Sequence, residues 1–215
     1  MNDMNNLFFK KKVVDYDILL DMKYDMDGKV VDAGVQEQYK PDGVNLETRS
    51  TKLKQFVKPR DYPDICEQLH KIIGDSNFLD KMITVNGVIP SDLKVNEFNY
   101  LIYEKGDHFV RHRDIFHKSS RYKLGNVMVP QRRLSTSTLI SESTDFDGGE
   151  LILYDDHGNE INPGLEVGET IVFDSRKAHK VNPVTKGTRE VLVAWFSLVQ
   201  ECDEYDKAII KQNTR

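Results

Sequence analysis

The chain after about residue 90 predicts a mainly β fold of the α+β kind, a sandwich or barrel with supporting helices. Short runs rich in β-branched and aromatic residues recur there: Val95–Tyr103, Phe109–Asp114, Arg133–Ile140, Glu150–Tyr154, Thr170–Phe173 and Arg189–Val199. Turn-forming clusters separate them, at Gly106-Asp107, Asp147-Gly148-Gly149, His157-Gly158-Asn159, Pro163-Gly164 and Lys186-Gly187. Strands this short, at this spacing, close on one another as a sandwich or barrel.

The N-terminal part reads differently. Residues 1–12 are polar around one short apolar patch and are expected to fray. Val13 to Met22 and Lys29 to Val35 hold β-branched and alternating residues that suggest one or two strands. Lys40 to Asn45, with Pro41, Asp42 and Gly43, reads as a turn. Pro63 to Gly74 is the clearest helix: Ile65, Leu69, Ile72 and Ile73 share one face, and Gly74 supplies a stop. His70 on that helix reads as a packing or surface residue. A short helical turn is expected over Asn77 to Ile83, and a closing helix over Asp203 to Gln212. The expected organisation is one domain: residues 1–90 as N-terminal strands and supporting helices, 91–200 as the core, and 201–215 as a C-terminal helix or tail.

The 215 residues are enough to bury a sizeable core. A formal net charge of −5 advertises neither nucleic acid nor an anionic membrane. Two cysteines, Cys66 and Cys202, are too few and too far apart for a disulfide framework, which points to a reducing, cytoplasmic setting. No apolar run approaches the ~18 residues of a membrane span.

His112-Arg113-Asp114 is where the chemistry gathers. Residues two apart on an extended strand point to the same side, so His112 and Asp114 offer half of a metal site. The missing half should be a histidine far downstream, and His179 is the best candidate. Two histidines and one carboxylate on one face of an iron form the facial triad of non-haem Fe(II) oxygenases. The same tripeptide opens a protein-kinase catalytic loop, but that loop needs an asparagine five residues after the aspartate, and Ser119 stands there.

Three blocks follow in order: Tyr103 to Asp114, Asp145-Phe146-Asp147-Gly148-Gly149-Glu150-Leu151, and Phe173 to Arg189. On these the chain resembles the prolyl 4-hydroxylase-type Fe(II)/2-oxoglutarate dioxygenases, including the bacterial branch with a similar Gly-Gly-Glu-Leu strand. The resemblance covers about residues 95–200 and none of the first 90. It implies a double-stranded β-helix (a jelly-roll, cupin-like barrel) with Fe(II) held by His112, Asp114 and His179. It also implies a basic residue ten positions after the distal histidine, where Arg189 stands.

The far carboxylate of 2-oxoglutarate would lie inside such a barrel, and a buried carboxylate needs a charge-assisted partner. Alternation puts Arg189, Val191, Val193 and Trp195 on one face of the last strand, taken as the inner one. By the same resemblance Tyr103 offers its phenol to the cosubstrate, with Thr138 and Ser137 as weaker candidates for the pocket lining. Ser137-Thr138-Leu139-Ile140 departs from the Tyr-rich strand of many eukaryotic prolyl hydroxylases, which leaves the substrate class open.

The implied reaction is hydroxylation of an unactivated C–H bond, on a prolyl or other residue of a protein or peptide. It consumes 2-oxoglutarate and O2 and releases succinate and CO2, with ascorbate as the rescuing reductant. His108, His117 and His157 are spare histidines with no direct role expected. Arg111, Arg113, Lys118, Arg121, Lys123, Arg132 and Arg133 form a basic run, either a solvated rim or a device for steering an acidic substrate segment. Two rivals stand beside this reading. A nucleic-acid demethylase of the same fold would carry a second arginine six residues beyond Arg189, where Trp195 stands. A non-enzymatic β-barrel binding module would usually have lost a ligand.

Overall fold

The computed structural model describes residues 7–25, 30–33, 47–54, 58–78, 89–115, 123–124 and 127–213. The N-terminal elements are β1 (Phe8–Lys12), α1 (Tyr16–Asp25), β2 (Val30–Asp32), β3 (Arg49–Ser50), β4 (Lys52–Lys54) and α2 (Pro63–Ile73). The middle of the chain holds β5 (Leu93–Tyr103), β6 (His108–His112), β7 (Lys123–Leu124), β8 (Val127–Met128), β9 (Leu134–Leu139) and β10 (Phe146–Gly148). Then come β11 (Leu151–Tyr154), β12 (Glu160–Ile161), β13 (Glu169–Asp174), β14 (His179–Val181), β15 (Val184–Gly187), β16 (Arg189–Leu198) and α3 (Val199–Asn213).

Two antiparallel sheets build the jelly roll. The larger runs β1-β13-β9-β16-β5-β4-β2 and the smaller β12-β11-β14-β6-β3. Strand β16 shows why its sequence is apolar almost throughout: both of its faces are covered. Val191 packs between the sheets with Leu101, Tyr103, Leu139, Leu153, Ile171 and Phe173. Leu192, Ala194 and Phe196 point the other way, onto the helices, with Leu19, Met22, Ile65, Leu69, Ile72 and Ile73. The four buried residues of α2 contribute roughly 1.5–3 kcal/mol each to holding that helix on the sheet. His70 is a packing residue, its ring edge-on to Phe196 at 5.1 Å.

The N-terminal expectations need correction. Phe8–Lys12 does not fray; it pairs with β13 along the edge of the large sheet. Val13 to Met22 is mostly helix, because Asp15 caps it: its Oδ1 accepts the Asp17 amide at 3.0 Å, and its carbonyl accepts Leu19 N–H. That cap was present in the sequence and outweighs the β-branched Val13-Val14 pair. The closing helix starts at Val199, four residues before the expected Asp203. The turn at Lys40 to Asn45 lies outside the described residues, as does the expected turn at Asn77 to Ile83 beyond Phe78. Strands β2, β3 and β4, only two or three residues each, extend both sheets from the N-terminal side.

Candidate metal and cosubstrate site

Cross-strand pairing builds the site. Strands β14 and β6 are neighbours, and His179 sits directly opposite His112 in their register. Strand β6 ends at His112, so Asp114 lies just past it rather than on it, held by its amide N–H donating to Ser175 O at 3.0 Å. One ligand atom from each of His112, Asp114 and His179 falls within 4.8 Å of the others. His112 Nε2 lies 3.7 Å from Asp114 Oδ1, and His179 Nε2 lies 3.5 Å from Asp114 Oδ2.

Both imidazoles are oriented by the backbone. His112 Nδ1 donates to Val110 O at 2.8 Å, and His179 Nδ1 to Lys177 O at 3.1 Å. A carbonyl oxygen only accepts, so Nδ1 carries the proton and Nε2 keeps a lone pair aimed at the centre. Asp114 is oriented by side chains: Ser135 Oγ donates to its Oδ2 at 2.6 Å. Ser135 Oγ also lies 2.9 Å from Ser175 Oγ. Since the carboxylate takes the Ser135 proton, Ser175 must donate to Ser135, giving a relay of two hydroxyls behind the acid.

Electrostatics favour the metal-ready protonation states. Burial, helped by neighbouring His179, pushes His112 down to about 3, against the opposing pull of Asp114. Burial alone would raise Asp114, but His179, Arg132, His112 and the Ser135 hydrogen bond hold it at about 2. Neutral imidazole and ionised carboxylate are what a hard, N/O-seeking cation requires. The donor set therefore fits Fe(II).

The cavity beside the triad is walled by Leu101, Phe173, Val181, Val191 and Val193, with Arg189 inside it. Arg189 is 3% exposed, and its Nη1 has no hydrogen-bond partner. Burial lowers its pKa. Its guanidinium carbon stands 5.5 Å from the Tyr103 ring centre. An unsatisfied guanidinium in an apolar cavity is costly unless an anion completes it. That fits the far carboxylate of 2-oxoglutarate. Trp195 also lines the cavity with its indole N–H unpartnered.

The profile of the 2OG-Fe(II) oxygenase superfamily matches residues 98–197, which bracket the triad and Arg189. A PKHD-type hydroxylase of Herminiimonas arsenicoxydans is 38% identical over 94 residues, 44% of this chain and 40% of that protein. The chain belongs to the prolyl 4-hydroxylase-type 2OG-Fe(II) oxygenase family.

The matched segment spans well under half the length of such relatives, 40% in that case. Solved structures extend the likeness in fold. A Pseudomonas putida prolyl-4-hydroxylase superposes at a TM-score of 0.58 with 17% identity, covering 90% of this chain and 93% of its own. A Trichoplax adhaerens prolyl hydroxylase in complex with a hypoxia inducible factor peptide fragment superposes at 0.59 with 16% identity, covering 92% and 86%.

Within this oxygenase the predicted residues are not all where the sequence suggested. His112, Asp114, His179, Arg189 and Tyr103 line the same cavity, and Ser137 joins them. Thr138 does not. Alternation along β9 turns it to the opposite face, where it is fully buried and its hydroxyl bonds Thr170 Oγ1 at 2.8 Å. His108 is engaged by the carbonyls of Gly106 and Glu47, each at 3.2 Å, and His157 is exposed; His117 lies outside the described residues.

The basic run is dispersed. Arg132 pairs with Glu97 and Arg133 with Glu201, while Arg111 covers the Tyr154 ring and Arg113 bonds Arg176 O. Lys118 and Arg121 lie outside the described residues. Sequence reasoning missed Arg49, which enters the cavity from β3, and the Ser135–Ser175 relay. Nothing local marks either, because each acquires its setting through a partner distant in sequence. Among the described residues no helix is long and apolar enough to cross a membrane.

Proposed function

We propose that this chain is an Fe(II)- and 2-oxoglutarate-dependent hydroxylase acting on a residue, foremost a prolyl, of a protein or peptide. The observation that supports this reading best is the pairing of a convergent His-Asp-His set with a buried, incompletely bonded Arg189 in one cavity. When bound, Fe(II) with 2-oxoglutarate and O2 supplies the oxidising power for C–H hydroxylation, with release of succinate and CO2.

The chain's own share is placement. His112 and His179 present Nε2 lone pairs, and Asp114 presents a carboxylate fixed by Ser135. That leaves further coordination positions on the metal for cosubstrate and oxygen. Arg189 receives the distal carboxylate, with the Tyr103 phenol beside it. The apolar walls keep bulk water from the reacting centre, which strengthens every charge interaction inside. Ascorbate is the proposed reductant for metal oxidised in unproductive turnovers. Both cysteines are free thiols, and their sparse use supports a cytoplasmic home.

Trp195, six residues beyond Arg189, occupies the place of a second arginine and speaks against a nucleic-acid demethylase. A binding module without activity is disfavoured by the complete donor set. The test is incubation with Fe(II), 2-oxoglutarate, ascorbate and a library of proline-containing peptides. Succinate release, together with a peptide gaining the mass of one oxygen atom, is the expected result. An absence of succinate, with peptides or without, would remove the enzymatic reading.

A further inference from the structure

Arg49 stands in the cavity without a role in that reading. It comes from β3, where it pairs in register with Phe109 of β6, outside the segment shared with the family profile. It is 8% exposed. Its guanidinium carbon lies 4.8 Å from the Phe109 ring centre, and that ring is stacked on His112 at 3.5 Å. Its other close neighbour is Tyr103, which hydrogen-bonds it, and Asp114 acts on it through space. Tyr103 therefore separates two guanidiniums: Arg189 at one end of the cavity and Arg49 at the metal end.

The charge balance of the cavity decides what Arg49 is for. Among the described residues lining it, the ionised groups are Arg49 and Arg189 against Asp114 alone, an excess of one positive charge. Adding a divalent metal and a doubly negative cosubstrate leaves that excess unchanged. A net charge in an apolar enclosure is expensive unless a counter-charge enters with the last component to arrive. That component is the substrate. The approach to the metal is positive as well, since Arg111 and Arg113 flank His112 at the mouth.

We infer that Arg49 is a specificity-determining residue that binds a carboxylate carried by the substrate close to the atom to be oxidised. This rests on the proposed iron- and 2-oxoglutarate-dependent reading and narrows its substrate class to anionic molecules. The carboxylate is the free α-carboxylate of the target residue or the side chain of an adjacent acidic residue.

The experiment uses the full chain loaded with redox-silent Zn(II) and saturated with 2-oxoglutarate. Trp195, the chain's one tryptophan, lines the cavity, so its fluorescence reports binding directly. Two probe pairs are titrated: N-acetyl-proline against its amide, and an end-blocked Gly-Pro-Asp against Gly-Pro-Asn. The expected result is that one carboxylate binds about tenfold or more tightly than its neutral partner, as a hydrogen-bonded charge pair allows. Whichever pair shows the preference identifies the source of the carboxylate.

Arg49→Gln should abolish that preference and leave 2-oxoglutarate affinity unchanged, while Arg49→Lys should retain part of it. Should Arg49→Gln fail to fold, Arg49→Lys is read alone, and weaker carboxylate binding with unchanged amide binding supports the assignment. Equal binding of carboxylate and amide by the natural sequence overturns it, as does a preference that survives Arg49→Gln. A fall in 2-oxoglutarate affinity in Arg49→Gln as large as in Arg189→Met makes Arg49 a cosubstrate anchor instead, and also overturns it. Failure of the metal-loaded natural sequence to bind 2-oxoglutarate at all is a different result, which removes the oxygenase reading itself and the inference with it.

Discussion

A Cβ placed on Gly149 would lie 2.9 Å from Cδ of Arg189 and 2.8 Å from Cγ2 of Val184. The second glycine of the Gly-Gly-Glu-Leu strand is thus the floor on which the cavity arginine rests. Its φ of +70° adds a backbone reason for glycine. Gly149→Ala should lower thermal stability and 2-oxoglutarate affinity together, because the arginine must move. Gly158 also has positive φ, but a Cβ there meets nothing within 4 Å. Gly158→Ala should therefore show only backbone strain, about 1 kcal/mol, and unchanged affinity. Thermal unfolding and cosubstrate titration of both variants check the contrast.

Ser135 touches no ligand atom of the histidines, yet it holds the acid of the triad. Ser135→Ala removes the 2.6 Å hydrogen bond to Asp114 and strands the Ser175 hydroxyl. Metal affinity should fall about 10–100-fold, the cost of losing an outer-shell partner. Competition for metal against a chromogenic chelator measures it, and an unchanged affinity would show the relay to be incidental.

Arg189→Met should separate binding from stability. Affinity for 2-oxoglutarate should drop by about 10–100-fold as a charge-assisted contact is lost. Stability of the ligand-free protein should hold or rise, since an incompletely bonded buried charge gives way to an apolar chain of similar length. A lower melting temperature in the ligand-free variant would count against this account of Arg189.

The metal-free protein should lose stability as pH falls below about 6.5. His112 takes up its proton only near 3 in the folded state but near 6.5 when unfolded, so the unfolded chain binds more protons across that window. Asp114, held at about 2 against 3.8, extends the loss to lower pH in the same direction. Chemical denaturation of chelator-treated protein across this range, beside His112→Asn, tests it. The variant should show the flatter profile.

How much was legible follows from the range of the interactions involved. The six strands of the barrel were readable because each carries its own alternation or apolar run, and the turns between them carry their own glycines. Helix α2 announced itself through four apolar residues on one face. Helix α1 did not, because its signal was the single cap Asp15 beside a β-branched pair. The edge strands of two or three residues hold no pattern of their own; partners in the sheet create them.

By itself the sequence determined the donor chemistry and its order: His-x-Asp, a distal histidine, and an arginine ten residues beyond it. These are properties of side-chain type and local spacing, and they hold wherever the chain goes. Tertiary structure alone decided that His179 lies opposite His112, that Ser137 rather than Thr138 faces the cavity, and that Arg49 reaches the metal end from a strand sixty residues away in register. Such facts depend on which strands become neighbours and on which face each turns inward. Strand pairing is settled by burying both faces of the large sheet at once, so no single segment contains the answer.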